Sequence, residues 1–273
     1  MPDTSTYKED LRRLSDELIR LQKPIKILDA IKWPREVEAG FLENNGRQLP
    51  AIDAEFYQRL PLPFDPDKTR QELTELRLQT RKCLGRYDKL GKILVANIEQ
   101  YLQVIDMLQH RGKADFGEFS RRLYGSANHK LHGDRHNLRQ LGDRLSYIFS
   151  LPAALRSNRH HPKEIAAPEA VDILGRRLKD YFHSDDIRVR LSDGIVSDAA
   201  VGGDTVKLNS KALFSQSDLD VYEVHEGWVH VGTTLNGRAQ PWATWLSVGS
   251  PRVAAAQEGL AVLMETITLS SNP

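Results

Sequence analysis

The run His225-Glu226-Gly227-Trp-Val-His230 constrains the fold more than any other part of the chain, because its two histidines lie five positions apart. At about 100° per residue, that spacing places them about 140° apart on a regular α-helix, nearly on opposite sides. Both imidazoles can bind one ion only if the helix contains a π-bulge, a feature that clusters at functional sites. We expect the bulge near Gly227, where the backbone adjusts most easily.

The flanking residues predict that this run is helical. Ser217 is a candidate N-cap, with the carboxylate of Asp220 three residues on, close to the capping-box pattern. Apolar residues follow, so a helix from about 218 to 235 is expected. Gly237 is a candidate C-cap for this helix, and Pro241 prevents its continuation.

A second helix is predicted from Ser250 and Pro251, an N-cap serine followed by proline at the first helical position. Its body is mostly apolar, so a charged Glu258 among these residues needs a partner if it is buried. The apolar positions are Val253, Leu260, Val262, Leu263 and Ile267. Two antiparallel helices would bring His225, His230 and Glu258 together and leave a fourth tetrahedral position for water.

Two imidazoles and two carboxylates are the inventory of a hydrolytic zinc site. Zinc lowers the pKa of its bound water, and Glu226, beside a ligand, can take that proton and pass it to a leaving amine. Glu223 should face away from His225, whereas Glu265, seven positions after Glu258, is the substitute ligand. The plainer interpretation is a set of buried structural histidines beside a salt-bridged carboxylate.

Several segments together resemble one protein family. The run HEGWVHVGTTLNGRAQP and the later AAAQEGLAVLMETI are similar to the bacterial proteins called flavohaemoglobin expression-modulating QEGLA-motif proteins. These belong to a larger family that includes the microtubule-associated tyrosine carboxypeptidases. The resemblance extends to PIKILDAIKW at 24–33, LPLPFDP at 60–66 and RRLYGSA at 121–127, so it spans nearly the whole chain.

The resemblance implies a zinc metallopeptidase that acts on the C-terminal tail of a peptide or protein. Residue by residue, His225, His230 and Glu258 match the family's zinc ligands, and Glu226 matches its general base. Members of the family continue past the final Ser-Ser-Asn-Pro of this chain. We therefore expect a truncated form whose catalytic region is incomplete at its C-terminus, with exposed apolar surface and self-association.

Composition narrows the classes of partner. The 38 basic and 37 acidic residues give a net charge of +1, so neither nucleic acid nor an anionic membrane is expected as a partner. Cys83 is the only cysteine, which excludes an intramolecular disulfide and a cysteine-based zinc site. The N-terminus lacks the apolar core of a signal peptide, so a cytoplasmic location is expected by default.

The chain is predicted to be α+β and mainly α-helical. Residues 1–160 form a helical N-terminal region, with apolar stripes such as Leu11, Leu14, Leu18 and Leu21. Residues 161–273 form the metallopeptidase-like catalytic region, expected to have a zincin-like core. The polar stretch 157–168 is the best candidate for a linker or mobile loop between them.

A small antiparallel sheet is predicted directly before the metal-binding helix. Residues 187–191 alternate with period two, a turn follows at Asp193-Gly194, and residues 195–201 pair back as a hairpin. A further turn at Gly202-Gly203-Asp204 leads into a strand over 205–208. This order of strands and helix is found in many zinc peptidases.

The remaining candidates have ordinary interpretations. Five histidines are read as solvated or loop residues: His129, His132, His136, His160 and His161. Arg121, Arg122 and Tyr124 fit the family pattern but are read as a helix end. A carboxypeptidase needs a cation for the substrate's terminal carboxylate, and Arg238 and Arg252 are nearest in sequence.

Two functions therefore remain open. The first is a zinc-dependent carboxypeptidase, and the second is a regulatory or scaffolding helical protein that keeps the zinc cluster as a structural element. Bound zinc does not separate them, because a structural site binds metal too. Hydrolysis that requires Glu226 would separate the two functions.

Overall fold

The computed structural model describes residues 4–157 and 161–270. The fold is α+β and mainly α-helical, as predicted, with thirteen α-helices and five short strands in the described part of the chain. The helices are α1 (Thr4–Gln22), α2 (Ile27–Ile31), α3 (Arg35–Glu43), α4 (Ala54–Arg59), α5 (Pro66–Leu84), α6 (Lys89–Gln109), α7 (Ala114–Tyr124), α8 (Leu138–Phe149), α9 (Pro152–Ser157), α10 (Ala167–Phe182), α11 (Gln216–Tyr222), α12 (Gly232–Arg238) and α13 (Ala254–Thr268). The strands are β1 (Ile165–Ala166), β2 (Arg188–Ser192), β3 (Ala199–Gly202), β4 (Thr205–Asn209) and β5 (Leu213–Phe214).

The chain divides into two compact units. One contains the residues up to Gly125 together with Ser250–Arg252, and the other contains Ser126–Gly249 and the residues from Val253 onward. The sequence predicted a different boundary, near residue 160, between a helical region and a catalytic region. That boundary concerns which part of the chain carries activity, so it stays a prediction. The predicted linker over 157–168 is partly wrong, because β1 and the start of α10 lie within it; residues 158–160 are outside the described ranges.

The first unit packs its helices along the predicted apolar stripes. Leu11, Leu14, Leu18 and Leu21 of α1 are all buried, and α1 and α6 both pack against α5. In α6 a buried stripe runs through Leu94, Ile98, Tyr101, Ile105 and Leu108. Leu90 and Ile93, near the start of the same helix, are exposed.

In the second unit, the sheet before the helix that carries His225 and His230 has the order β2-β4-β3. The turn at Gly203 joins β3 to β4 as predicted, but the predicted β2–β3 hairpin is wrong, because β2 pairs in parallel with β4. The reason is that β4 is the buried central strand, with Val206 and Leu208 fully buried, and its backbone groups need partners on both edges. The sheet is therefore mixed rather than antiparallel. A second, two-stranded sheet pairs β1 with β5.

Helix α10 packs against this sheet and against the helix that carries His225 and His230. Ala170, Leu174 and Leu178 are fully buried in one core with Val206 and Val231. At about 25 cal/mol per Å² of apolar surface, each buried leucine contributes roughly 1.5–3 kcal/mol to folding. The candidate site therefore rests on a packed core rather than on loops.

Helix α13 has an exposed apolar face. Of its residues only Ala261 is buried, while Leu260, Leu263 and Ile267 are all exposed. The sequence predicted exposed apolar surface in this region.

No helix within the described ranges has the length and apolar character needed to span a membrane.

Candidate metal centre

The helix that carries His225 and His230 is continuous from Gln216 to Arg238, with a π-helical segment over Glu223–Val231 between α11 and α12. The π geometry expected from the histidine spacing is therefore confirmed. The predicted cap is wrong by two residues. Ser215 is the N-cap, and its Oγ accepts from the backbone N–H of Asp218 at 3.0 Å while the Asp218 carboxylate accepts from the Ser215 N–H at 2.8 Å. That reciprocal pair satisfies two N–H groups at the start of the helix.

Two glycines in this helix are explained by close packing. A Cβ on Gly227 would lie 2.2 Å from Cδ2 of Leu178, and one on Gly237 would lie 2.3 Å from backbone atoms of Leu246 and Ser247. The expectation that Gly237 is the C-cap is wrong, because α12 continues to Arg238 and Gly237 is buried where the chain after it passes. Gly227 likewise holds the π segment against α10.

Replacing Gly227 with alanine is expected to destabilise the protein by about 1–3 kcal/mol, because the buried Leu178 would have to leave its position. Gly259→Ala in α13 is the matched control, since nothing lies within 4 Å of its added Cβ. That change should stabilise the helix by roughly 0.5–1 kcal/mol. Denaturant unfolding of both variants measures the difference, and equal stabilities would contradict the close packing.

The second helix starts later than predicted. A 3₁₀ turn occupies Pro251–Val253, and α13 begins at Ala254 without a side-chain cap, so Ser250 is not its N-cap. Along α13, Gln257, Glu258 and Glu265 point toward the π segment, where they meet the two histidines.

The structure brings the three predicted ligands together. Nε2 of His225 lies 3.3 Å from one Glu258 carboxylate oxygen, and Nε2 of His230 lies 3.6 Å from the other. The two imidazole centroids are 5.0 Å apart. One ligand atom from each residue lies within 4.8 Å of the others, and no other such group occurs in residues 4–157 and 161–270. The Glu258 side chain is 61% exposed, so its carboxylate is not buried among the apolar residues of its helix.

The far nitrogen of each imidazole also has a partner. Nδ1 of His225 lies 2.6 Å from a carboxylate oxygen of Glu265, and Nδ1 of His230 lies 3.2 Å from the amide oxygen of Gln257. Glu265, considered as a substitute ligand, thus lies on the side of His225 opposite Glu258. Gln257 was missed in the sequence, although its position next to Glu258 was the available signal.

Burial and neighbouring charges shift the pKa values of Glu226 and His225. Burial raises the pKa of Glu226, and the negative charges of Glu258 and Glu265 raise it further, against the opposing effect of His225 and His230. For His225, burial lowers the pKa, but the hydrogen bond to Glu265 and the neighbouring carboxylates outweigh it, so the net shift of the pKa is upward. A carboxyl whose pKa is raised toward neutrality is suited to accept and return a proton.

The cluster lines a cleft of about 720 Å³ in the second unit. Ala199, Ala200 and Val201 of β3 form part of its lining, and β3 is an edge strand of its sheet. Apart from His225, Glu226, His230 and Glu258, the polar residues that line the cleft are uncharged. They are Thr233, Thr234, Asn236, Gln240, Ser247 and Gln257. No lysine or arginine lines this cleft within the described part of the unit.

Neither arginine considered for a substrate carboxylate is placed in this cleft. Arg238 binds Asp204 at 2.7 Å, and Arg252 belongs to the first unit. The hydrogen bond from Arg238, supported by Thr205 and Arg188, lowers the pKa of Asp204 to about 2 despite its burial. This ion pair connects the β3–β4 turn to the end of α12.

The other candidates have ordinary surroundings. His129 and His132 lie in an exposed turn region, and His136 contacts Asp134 at 3.3 Å; His161 is exposed and His160 lies outside the described residues. Glu223 faces away from the cluster toward Arg177, as expected, at 3.2 Å. Arg121, Arg122 and Tyr124 form the last turn of α7, as expected for a helix end.

Comparison with known proteins gives one result. A family model described as microtubule-associated tyrosine carboxypeptidase matches residues 39–273, which include the whole cleft and both helices of the cluster. No curated protein and no solved structure matches the chain.

Proposed function

The chain belongs to the microtubule-associated tyrosine carboxypeptidase family, and from this membership we propose that it is a zinc-dependent peptidase acting at the C-terminal tail of a peptide or protein. The observation that carries the proposal is the convergence of His225 Nε2 and His230 Nε2 on the carboxylate of Glu258. Metal content and peptide cleavage, measured on the same preparation, test it.

The donor set fits zinc. Two imidazole nitrogens and a carboxylate oxygen, with one open position, are a common ligand set of catalytic zinc. In a tetrahedral site with bonds of about 2.0–2.2 Å, ligand atoms lie roughly 3.3–3.6 Å apart. His225 and His230 lie 3.3 and 3.6 Å from the two different oxygens of Glu258, and one ligand atom from each residue lies within 4.8 Å of the others, so the three residues would close in modestly around the ion.

Glu226 is the proposed general base. Bound zinc would lower the pKa of a water molecule at the open position. Glu226 lines the same cleft, and its own pKa is raised by burial, so it can accept a proton from that water and deliver it to the leaving amine. The nearby imidazoles of His225 and His230 interact electrostatically with the Glu226 carboxylate and oppose the rise in its pKa.

Strand β3 is the proposed docking edge for an extended substrate. One edge of β3 pairs with β4, and within the described residues its other edge has no strand partner. Ala199 and Val201 line the cleft, so a peptide added along this edge would pass the cluster. Backbone hydrogen bonds to such an edge give affinity with little side-chain selectivity.

We expect cleavage to require a free terminal carboxylate. A peptide amide lacks the charge that a carboxypeptidase recognises, and loss of a charge-assisted hydrogen bond of about 1.5–3 kcal/mol lowers kcat/KM by about 10- to 100-fold. The matched pair is one tyrosine-ended peptide prepared as free acid and as amide, with products identified by mass spectrometry. Equal cleavage of both, or cleavage inside the peptide, would contradict a carboxypeptidase while leaving a zinc peptidase in place.

The second candidate is a catalytically silent scaffold with a structural zinc site. The observation that favours it is the lack of a lysine or arginine in the described lining of the cleft. Such a protein would bind zinc through the same three residues and cleave neither form of the peptide.

A further inference from the structure

Helix α13 supplies partners for both nitrogens of both histidines. Glu258 faces the two Nε2 atoms, while Glu265 and Gln257 each contact one Nδ1 atom. Glu258 and Glu265 are seven residues apart, which places them within about 20° of one face of the helix, two turns apart. Gln257 precedes Glu258 and reaches the other histidine.

The acceptors on the Nδ1 side determine which nitrogen carries the proton. A carboxylate accepts hydrogen bonds, so the contact of 2.6 Å requires His225 Nδ1 to donate to Glu265. The amide oxygen of Gln257, 3.2 Å from His230 Nδ1, requires the same of that ring. When neutral, each imidazole then has the lone pair on Nε2, toward Glu258, which is the form a metal binds.

Burial distinguishes the two acidic residues of α13. The Glu265 side chain is 13% exposed, against 61% for Glu258. A carboxylate this enclosed is costly without a partner, and here it accepts a hydrogen bond from His225. Glu258 is open to the cleft, whereas Glu265 lies behind the imidazole.

We propose that Glu265 and Gln257 are positioning residues that hold the Nε2 atoms of His225 and His230 toward Glu258. This inference rests on the proposed zinc site. Partners of this kind fix the tautomer and the orientation of a ligand imidazole, and their loss typically weakens metal affinity about 10- to 100-fold. Each contacts an Nδ1 atom, on the side of the imidazole away from Glu258.

Zinc affinity of the full chain, measured by competition with a chromophoric chelator, tests the proposal without relying on activity. Glu265→Leu should bind zinc about 10- to 100-fold more weakly, and Gln257→Leu roughly 10-fold more weakly. Glu265→Gln should lose less, because its amide oxygen can still accept from Nδ1. The visible spectrum of the Co²⁺-substituted protein should change in both leucine variants, since the imidazoles are no longer held in one orientation.

Glu223→Gln is the matched control, because it removes one nearby negative charge whose partner is Arg177 rather than a histidine. Its zinc affinity should stay within about twofold of the parent, as expected for a residue without a role in orienting ligands. Glu265→Leu and Gln257→Leu with parental affinity and an unchanged Co²⁺ spectrum would overturn the positioning roles alone. A parent protein that binds no zinc would overturn the proposed site together with them. Weakened zinc binding in a protein without peptidase activity would support the positioning roles and reject the peptidase.

Discussion

Replacing Glu226 with glutamine is expected to lower turnover of a cleavable peptide by about 10²- to 10⁴-fold while the protein keeps its zinc. The amide has nearly the shape of the carboxylate but cannot take a proton from water at neutral pH. Because Glu226 is not among the three converging ligands, its replacement leaves the donor set intact. Single-turnover kinetics and metal analysis on one preparation give both quantities.

Glu223→Gln serves again as the charge-matched control and should cleave at the parental rate, since Glu223 binds Arg177 and points away from the cluster. If Glu226→Gln cleaves as fast as the parent, the proposed mechanism fails. A parent that holds zinc and cleaves nothing would instead support the structural-zinc alternative.

Replacing either histidine with alanine is expected to abolish stoichiometric zinc binding. His225→Ala or His230→Ala removes one of three converging donors, and the remaining pair cannot hold the ion against water. Glu258→Gln exchanges an anionic ligand for a neutral amide and should weaken both zinc binding and turnover. Metal analysis after dialysis against a weak chelator measures the zinc retained.

The control variants are His129→Ala and His132→Ala, which remove exposed histidines from a turn region outside the cluster. Both should retain about one zinc per chain, as expected for a three-ligand site left untouched. Full zinc content in His225→Ala would show that the site has been assigned to the wrong residues.

The sequence predicted the π segment and the buried stripe of α1 because both depend on short-range spacing. A spacing of five positions from His225 to His230 is incompatible with chelation from a regular helix, and the structure has a π segment at that place. The burial of the leucines of α1 was predicted from their helical spacing, because that pattern is visible within a few turns of sequence.

The sequence could not predict features that depend on contacts between distant residues. Nor could it predict features for which two neighbouring residues are nearly equally suitable. The parallel pairing of β2 with β4 requires knowing that β4 is central, which no local pattern reveals. Ser215 and Ser217 both offer a hydroxyl three residues before an aspartate, and the actual cap is decided by where the chain leaves β5. The role of Gln257 depends on the side of His230 that α13 approaches.

The π segment also has a consequence for every residue after it. One additional residue in a regular helix would turn the following side chains by about 100° relative to those before it. A turn closed by i→i+5 hydrogen bonds absorbs that residue, so positions five apart are placed as positions four apart are in an α-helix. Deleting the single residue Trp228 would therefore convert the run to the commoner four-residue histidine spacing without rotating α12 about its axis. A site with histidines five positions apart and one with histidines four positions apart can thus differ by the insertion of a single codon.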